Sequence, residues 1–323
     1  MTKNINRNGV PLLSIVIANY NYGRFLEDAL KSIIMQCAGG DVEVIVCDAA
    51  STDNSLEIIK KYSKGLPPKT HYVNWRDTAS PNLSCQPLIT WWCSEKDGGQ
   101  SAAFNKGFCH ARGKFLTWLN ADDVLLPGTI RKFKSAYESN PEFQWFGGGC
   151  LYLDPELRVF KCGRCRRISM TRAKHGVVNV TGPSSIFSRA LYEEVGGIDE
   201  RYQYTMDTNL WIKFALEARA KYMPFSRYIW GLRMHPDAKM SGHKFTSDGH
   251  ILEGKSSLEA YQRNQRRLEQ LTREKEWSME CAQISRKRMS KLQRLMSVDV
   301  VPALMSRFDT WRFRGKDYLS VVK

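Results

Sequence analysis

The chain changes from apolar to acidic within one short stretch, Trp118-Leu119-Asn120-Ala121-Asp122-Asp123. The apolar run over 115–119 predicts a central strand, so 120–123 lie just beyond its carboxyl end, where parallel α/β sheets bind ligands. Two adjacent carboxylates there repel each other unless a cation joins them, and a hard divalent metal is a common solution. The other interpretation is a helix N-cap, because Pro127 precedes a predicted helix. This stretch alone leaves both interpretations open.

Upstream of this stretch, strand and helix patterns alternate. They predict strands over 12–18, 42–47, 89–93 and 115–119, a further candidate strand over 71–75, and helices over 23–37, through Lys60 and over 98–112. Such alternation is typical of βαβ units and a mostly parallel central sheet flanked by helices. Downstream, the patterns predict a hairpin over 143–153 and 159–168, helices over 189–195 and 206–220, and a polar helical stretch over 252–295. The sequence therefore predicts an α/β fold with a C-terminal helical extension.

Composition predicts a folded protein of the cytoplasm. The chain has 323 residues, of which 42% are hydrophobic and 11% aromatic. No apolar run reaches the roughly 18 residues of a membrane span, and the polar residues 1–10 do not resemble a secretory signal. Several of the nine cysteines, including Cys47 and Cys93, lie within apolar patterns, which indicates buried thiols in a reducing compartment.

The net charge is +15, and the excess of positive charge per residue is larger in the C-terminal part. Residues 251–323 hold 16 Lys and Arg against 9 Asp and Glu, a net of +7, whereas the other 250 residues hold 32 against 24, a net of +8. Nucleic acid, anionic lipid and anionic small substrates are all compatible with this excess. Charge alone does not choose among them.

A second polar turn follows the predicted strand at 42–47. Asp48 stands at the carboxyl tip of that strand, where a charged side chain is expected to meet a ligand. Asp53 lies a few residues later, just before the next helix, and we interpret it as a capping residue.

These turns belong to an ordered set of motifs. They are Ser14-Ile-Val-Ile-Ala-Asn-Tyr-Asn21, Asp48-Ala-Ala-Ser-Thr-Asp-Asn-Ser55, Ser94-Glu-Lys-Asp-Gly-Gly-Gln100, Asn105-Lys-Gly107 and Asn120-Ala-Asp-Asp123. In order and spacing, the set resembles the inverting family 2 glycosyltransferases, and the resemblance covers roughly residues 11–240. It implies a GT-A fold, which is Rossmann-like, and a nucleotide-diphosphate sugar as donor.

The resemblance implies a nucleotide site in the first half of the chain. Asp48 would read the nucleobase or its ribose beside the backbone of Ala18 and Tyr20, and Asn105 would line the same pocket. The chain departs from the family at Ala49-Ala50, where an Asp-Gly pair is usual. That departure leaves the fold prediction intact but affects the nucleotide contacts.

The resemblance also implies a site for Mn²⁺ or Mg²⁺. Asp122 matches the metal-binding Asp of the family's DxD motif, where it would bridge the metal and the diphosphate, and Asp123 would assist. Asn120 replaces the first Asp of that motif, so it can hydrogen-bond ribose but adds no charge. His235 lies where similar members have an Arg-x-His segment, and either a ligand or a structural role is open for it. The adjacent Arg233 would pair with a phosphate or be solvated.

A general base is needed to deprotonate the acceptor hydroxyl. Asp207 begins a predicted helix with Leu210, Trp211 and Phe214 on its buried face, and its segment resembles the family's acidic base segment. The alternative is that Asp207 only complements the positive end of that helix.

The function predicted from the sequence is therefore inverting, metal-dependent transfer of a sugar to a glycan or lipid-linked glycan, as in bacterial surface polysaccharide synthesis. We assign 1–245 to the catalytic domain, with a nucleotide-binding half at about 11–125 and an acceptor half at about 126–245, and 246–323 to the basic extension. The nearest rival is a sugar nucleotidyltransferase, but residues 19–24 match its Gly-rich phosphate loop poorly. A basic nucleic-acid-binding protein is a rival of another class, and no recognition motif supports it. We expect no nucleic-acid partner.

The basic extension leaves two interpretations. Its arginines would form a solvated helical face, or they would bind anionic lipid at the inner face of the membrane. In the second case an apolar face would enter the interface, formed by Val300, Leu304, Met305, Phe308, Trp311 and Phe313.

Overall fold

The computed structural model describes residues 10–36, 41–64, 88–238, 244–245, 251–252, 269–270, 273–274, 277 and 300–321. The chain divides into two compact units, Met1–Asp123 and Val124–Lys323. The candidate strand at 71–75 and most of the helical stretch predicted over 252–295 lie outside the described residues. The domain boundary predicted near 245 stays a prediction.

The first unit is a parallel sheet with helices between its strands. Its elements are β1 (Leu13–Asn19), α1 (Gly23–Ile34), β2 (Val42–Asp48), α2 (Ser55–Ser63), β3 (Ile89–Ser94), α3 (Gln100–His110) and β4 (Phe115–Asn120). The strands run parallel in the order β3-β2-β1-β4. The sheet grows from β1 toward β3 and then toward β4 on the other side, so the strand order reverses beside β1. Such a reversal is where open α/β sheets bind ligands.

Apolar strands and close helix packing hold this unit together. In β1, the residues from Leu13 to Ile17 are all buried, as expected for a strand covered on both faces. Gly107 of α3 lies directly against it, since a Cβ there would come within 2.3 Å of Val16 Cγ1. The absence of a side chain at Gly107 therefore lets α3 approach the sheet.

The second unit contains a mixed sheet and short helices. Its elements are β5 (Val124–Leu125), α4 (Thr129–Ser139), β6 (Trp145–Leu153), β7 (Val159–Gly163), α5 (Met170–Ala173), β8 (Ser185–Ser188), α6 (Arg189–Glu194), α7 (Met206–Leu216), β9 (Tyr222–Arg233), β10 (Lys244–Phe245), β11 (Ile251–Leu252), α8 (Val300–Phe313) and α9 (Tyr318–Val321). β6 pairs antiparallel with β8 and β7 and parallel with β9, which also pairs with β5. The predicted hairpin is confirmed as β6 and β7, although its second strand ends at Gly163.

An aromatic cluster anchors α7 in this unit. Trp211 stacks on Trp145 of β6 with ring centroids 5.4 Å apart and meets Phe187 of β8 edge to face. Phe214 packs on Trp145 at 5.3 Å. The predicted buried face of this helix is therefore confirmed, and the helix ends at Leu216 rather than at 220.

Helix α8 is attached to the β6–β7 hairpin by polar contacts. The Arg164 guanidinium pairs with Asp309 at 2.7 Å, and the Arg164 backbone N–H donates to Ser306 Oγ. The Cys162 N–H donates to Thr310 Oγ1 at 2.9 Å. These three residues of α8 define its inward face. No helix among the described residues is both long and apolar enough to cross a membrane.

Candidate functional site

Polar side chains gather at the carboxyl edge of the first unit's sheet. Asn19, Asp48 and Ser94 end three neighbouring strands, and the register pairs Asn19 with Asp48 and Asp48 with Ser94. Asn120 ends β4 and pairs with Ala18 of β1. The strand tips that the sequence marked as ligand-binding thus lie side by side in this unit.

Asp48 is the centre of a hydrogen-bond network at this edge. Its side chain is 1% exposed. Oδ1 accepts from Asn19 Nδ2 and Ser51 Oγ, and Oδ2 accepts from the Ser51 N–H and Ser94 Oγ. A carboxylate offers about four acceptor positions, so these donors engage the whole group. A nucleobase N–H would have to replace a hydroxyl donor, and the predicted contact of Asp48 with the nucleobase stays a prediction.

The turn after β2 adopts a left-handed backbone that explains the family's glycine. Ala50 has φ of +57° and Asn21, in the neighbouring turn after β1, has φ of +54°. Asn21 Oδ1 accepts from the Thr52 N–H at 2.8 Å, while the Asn21 N–H donates to Ser51 Oγ. A glycine at position 50 would adopt this conformation without strain, whereas alanine does so at a cost of roughly 1 kcal/mol.

Asp53 caps the helix that follows it, as predicted, and also bonds to the start of α1. Its Oδ1 accepts from the Ser55 N–H at 3.0 Å, at the start of α2, and its Oδ2 accepts from the Gly23 N–H at 2.8 Å, at the start of α1. Burial raises the pKa of Asp53, but hydrogen bonds from Ser55 and Gly23 outweigh it and bring the pKa below 3.8. One carboxylate therefore joins the first turns of both helices.

The Asn120–Asp123 cluster is fixed by a chain of side-chain hydrogen bonds. Gln100 Nε2 donates to Asn120 Oδ1 at 2.8 Å, and Asn120 Nδ2 donates to Asp123 Oδ2 at 2.7 Å. Asp123 is fully buried, whereas Asp122 is 8% exposed. Asn120 therefore supplies a neutral donor beside a buried carboxylate, where a second Asp would bring a like charge.

The N-cap interpretation of Asp122 and Asp123 is wrong. Helix α4 begins at Thr129, and its N-cap is Gly128 in the left-handed conformation with φ of +78°. The short strand β5 and Leu126 separate the two carboxylates from that helix. Metal binding by Asp122 and Asp123 stays a prediction.

The donor set at this edge fits a hard metal ion. Asp122 offers carboxylate oxygens, the ligands that Mg²⁺ prefers, and Mg²⁺ often takes one or two carboxylates together with phosphates. Asp123 is fully buried with Oδ2 bonded to Asn120, so its assisting role stays a prediction. Within the described residues, no group of three or more His, Cys, Asp or Glu could hold a metal by itself. Phosphate oxygens would therefore have to complete the coordination.

Other predicted residues lie in both units. Ala18 and Asn105 are half-buried in β1 and α3, and Tyr20 is 60% exposed after β1. In the second unit, His235 follows β9 and is buried, as is Arg233, so the solvated interpretation of Arg233 is wrong. The metal role predicted for His235 stays a prediction.

Asp207 lies in the first turn of α7. Its Oδ1 accepts from the Thr208 N–H at 2.7 Å, and the Gly182 backbone N–H also donates to its carboxylate. Burial raises the pKa of Asp207, and these hydrogen bonds offset the rise only in part. The role of Asp207 as the base stays a prediction.

Sequence reasoning missed the partners of these residues. Ser94 and Gln100 belong to the motif at 94–100, but no role was predicted for them. They donate to Asp48 and Asn120, respectively. Glu274 was missed entirely, although Gln270, Glu274 and Trp277 have the spacing of one helical face. That spacing indicates a contact but does not identify what the face touches.

A parallel α/β sheet with fixed polar groups at its carboxyl edge defines the class of proteins that bind ligands at a topological switch point. The sequence profile of Glycosyl transferase family 2 matches residues 14–78 and 87–196, more than half of the chain. The chain belongs to that family.

Relatives cover different shares of the chain. An uncharacterized glycosyltransferase of Nostoc sp. is 30% identical over 128 residues, which are 40% of this chain and 33% of that protein. EpsE of Bacillus subtilis, named as a glycosyltransferase, is 27% identical over 252 residues, which are 76% of this chain and 81% of that protein. The match to the Nostoc protein thus spans a third of that protein's length.

Two solved structures share the fold. Mannosyltransferase PcManGT from Pyrobaculum calidifontis, in complex with GDP-Man and Mn²⁺, has a TM-score of 0.50 at 18% identity over 97% of this chain and 86% of that one. S. aureus TarS 1–349, in complex with UDP-GlcNAc, has a TM-score of 0.50 at 18% identity over 73% of this chain and 62% of that one. At this identity the likeness concerns the fold alone, and the predicted GT-A fold is confirmed.

Proposed function

We propose that the protein is an inverting glycosyltransferase that moves a sugar from a nucleotide-diphosphate donor to an acceptor hydroxyl with the help of Mn²⁺ or Mg²⁺. The observation that carries the proposal is the polar edge of the first unit, where Asp48, Asn120 and Asp123 are held by hydrogen bonds at the ends of parallel strands. Membership of Glycosyl transferase family 2 supports it. TarS and PcManGT support the donor class, because each was solved with a nucleotide sugar.

We assign Asp122 to the metal and, through it, to the diphosphate. The ion would stabilise the charge that develops on the leaving diphosphate. Asp123 is the assisting carboxylate, and its bond to Asn120 keeps one of its oxygens fixed. His235 remains a predicted further ligand.

The nucleotide is assigned to the residues around β1 and α3. Ala18 and Asn105 keep their predicted places beside it, and the exposed ring of Tyr20 offers an aromatic face for the nucleobase. Asp48 holds the turns after β1, β2 and β3 in register with one another through its four hydrogen bonds. We therefore assign it the shaping of this pocket in addition to the predicted contact with the nucleobase or ribose.

Asp207 is assigned the proton transfer. The acceptor oxygen forms a bond to the anomeric carbon while the bond from that carbon to the diphosphate breaks, which inverts the anomeric configuration. The acceptor proton passes to the Asp207 carboxylate. Its raised pKa strengthens it as a base.

Thermal-shift measurements with UDP-GlcNAc and GDP-mannose test the donor assignment. We expect a Mn²⁺-dependent rise in Tm with at least one of these nucleotide sugars, which Asp122→Asn removes and Asp207→Asn keeps. The control is Glu57→Gln, at an exposed carboxylate of α2. The proposal fails if no nucleotide diphosphate or nucleotide sugar stabilises the protein. Release of pyrophosphate instead of a nucleoside diphosphate would identify a nucleotidyltransferase.

The acceptor is proposed to be a glycan or lipid-linked glycan at the cytoplasmic side of an anionic membrane, as in bacterial surface polysaccharide synthesis. The outward face of α8 supports this location. Met305, Phe308 and Trp311 are exposed there, on the side opposite Ser306, Asp309 and Thr310. Exposed cations accompany them at Arg307, Arg312, Arg314 and Lys316. Apolar and basic groups together are typical of interfacial helices.

A further inference from the structure

Glu274 is a buried carboxylate that binds the segment just before α7. It has no exposed surface. Its Oε1 accepts from the N–H groups of Gln203 and Tyr204 at 2.6 and 3.1 Å, and its Oε2 accepts from the Thr205 N–H at 2.8 Å. Thr205 Oγ1 donates to the same oxygen at 2.7 Å. One side chain thus collects three consecutive backbone donors and a hydroxyl.

These donors need an acceptor because of where they lie. The first N–H groups of a helix, and those of the turn leading into it, have no partner within the helix. Thr205 is the N-cap of α7, yet its side chain makes no capping bond. Glu274, from a distant part of the chain, accepts from the three N–H groups that lead into α7. Its negative charge lies beside the positive end of the helix dipole.

The neighbours of Glu274 hold its segment against the same turn. Trp277 meets Tyr202 edge to face at 5.7 Å, and the Arg201 guanidinium lies 5.5 Å from the centroid of the Trp277 ring. Gln270 Nε2 donates to the Arg201 carbonyl and to Glu274 Oε1. Gln270, Glu274 and Trp277 therefore all contact residues 201–205.

We propose that Glu274 is a positioning residue for Asp207, so that the basic C-terminal extension forms part of the catalytic apparatus. The inference rests on the proposed function, in which Asp207 is the base. Asp207 stands two residues after Thr205, and the aromatic packing of Trp211 fixes the same helix one turn further on. Glu274 thus fixes the start of α7, and with it the direction in which Asp207 presents its carboxylate.

Glu274→Ala removes the acceptor, and Glu274→Gln keeps one accepting oxygen without the charge. We expect Glu274→Ala to lower kcat by about 10- to 100-fold while KM for the donor stays within about twofold, with Glu274→Gln intermediate. The assay follows release of UDP or GDP from UDP-GlcNAc and GDP-mannose with Mn²⁺ and water as acceptor. Glu269→Gln, at an exposed carboxylate of the same segment, should match the wild type.

Two further measurements separate positioning from general stability. Thr310→Val removes the hydrogen bond between α8 and β7, so it lowers Tm without touching α7, and its kcat should stay at the wild-type value. Hydrogen exchange should become faster over residues 203–209 in Glu274→Ala but not in Thr310→Val.

The outcomes distinguish the two proposals. If the wild type releases no nucleotide from any donor, the proposed function fails and the positioning role fails with it. If the wild type turns over and Asp207→Asn does not, a wild-type kcat in Glu274→Ala overturns the positioning role alone. Unchanged exchange over 203–209 overturns it as well. A loss of kcat in Thr310→Val as large as in Glu274→Ala would mean that stability, rather than positioning, is responsible.

Discussion

The amide of Asn120 both accepts and donates a hydrogen bond, which a carboxylate at this position could not do. Its oxygen accepts from Gln100 and its nitrogen donates to Asp123, so the side chain is used at both ends. An Asp at this position would accept from Gln100 equally well. Facing Asp123, however, it would bring two negative charges to hydrogen-bond distance, which raises the pKa of one of them.

Asn120→Asp should therefore make stability depend on metal. Without divalent cation we expect the free energy of unfolding to fall by about 1–3 kcal/mol, because a buried carboxylate loses its donor and gains a like charge. Mn²⁺ should restore most of the loss. The measurement is denaturant unfolding with and without Mn²⁺. Asn140→Asp, at the C-cap of α4, is the control and should show no Mn²⁺-dependent recovery. A loss that Mn²⁺ does not reverse would contradict the metal assignment.

Ala50 carries backbone strain that a glycine would relieve. Its φ is +57°, while the adjacent Ala49 has an ordinary negative φ. We expect Ala50→Gly to stabilise by about 0.5–1 kcal/mol, because relief of the left-handed conformation exceeds the entropy that glycine adds to the unfolded chain. Ala49→Gly should instead destabilise by about 0.4–1 kcal/mol. Chemical denaturation measures both changes, and equal effects at the two positions would exclude strain at Ala50.

Asp207 should determine the acidic limb of the rate profile. The base acts when deprotonated, so activity is lost as pH falls through its pKa, and burial raises that pKa above 3.8. Asp207→Asn should lower kcat by about 10²- to 10⁴-fold. A kcat profile against pH measures this, with Asp317→Asn, an exposed carboxylate near the C-terminus, as the control. Comparable turnover in Asp207→Asn would refute the assignment.

The same shift has a consequence for stability. A carboxyl whose pKa is raised by folding destabilises the native state in its ionised form, and this penalty develops as pH rises from 3.8 through the raised pKa. Asp207→Asn removes the ionisable group. Its Tm at pH 7 should therefore equal or exceed that of the wild type, which separates a lost base from a lost fold.

Among single residues, capping could be predicted and networks could not. Asp53 caps the helix that follows it directly in sequence, so its residue type and position were sufficient there, whereas its bond to Gly23, 30 residues earlier, was not predicted. Asp48 depends on Ser94, which lies 46 residues later and reaches it only through the pairing of β2 with β3. Such a partner is set by strand register, which residue types alone do not specify.

At the scale of elements, close approach of α3 to β1 depends on Gly107. Gly107→Ala should destabilise by about 1–3 kcal/mol, because the new methyl group meets Val16 at 2.3 Å and the core must shift. Gly98→Ala is the matched control, since its Cβ would meet only the Ala102 Cβ at 3.4 Å. Thermal unfolding of both variants checks the difference. Equal stability of the two variants would mean that the α3–β1 contact accommodates the added methyl group at little cost.

Two strands that the sequence patterns did not predict, β9 and β5, have local features that explain the failure. β9 contains Pro224 and Gly231, residues that ordinarily argue against a strand interior. Pro224 lies beside a register shift between β6 and β9, and a Cβ at Gly231 would come within 2.7 Å of Leu153 Cδ1. Both residues thus serve the pairing with neighbouring strands. β5 spans two residues, too short for any alternation to be read.

For the whole molecule, the order of the motifs carried more information than any one of them. Family membership rests on matches spread over 14–78 and 87–196, and every motif except Asn105–Gly107, inside α3, includes a strand end or a helix start. The extension contributes no such motif, and its polar helical pattern indicated neither the contact of Glu274 nor the attachment of α8 to β7. Those contacts join residues far apart in sequence, so they depend on the folded second unit.

The outward face of α8 should bind anionic membranes. Trp311 is 78% exposed and Phe308 is 49% exposed, and their ring centroids lie 5.9 Å apart. We expect sedimentation with phosphatidylglycerol-containing vesicles at low salt, little with neutral phosphatidylcholine vesicles, and loss of binding as salt screens the arginines.

Replacing both aromatic side chains tests which part of the surface is responsible. Phe308→Ser with Trp311→Ser should abolish most vesicle binding, because the apolar anchor is lost while the charge is kept. Met170→Ser removes an exposed apolar side chain elsewhere and is the control. Since the inward contacts of Ser306, Asp309 and Thr310 remain in the double variant, α8 should stay folded on β7. Vesicle binding equal to the wild type in the double variant would show that this face does not bind the membrane.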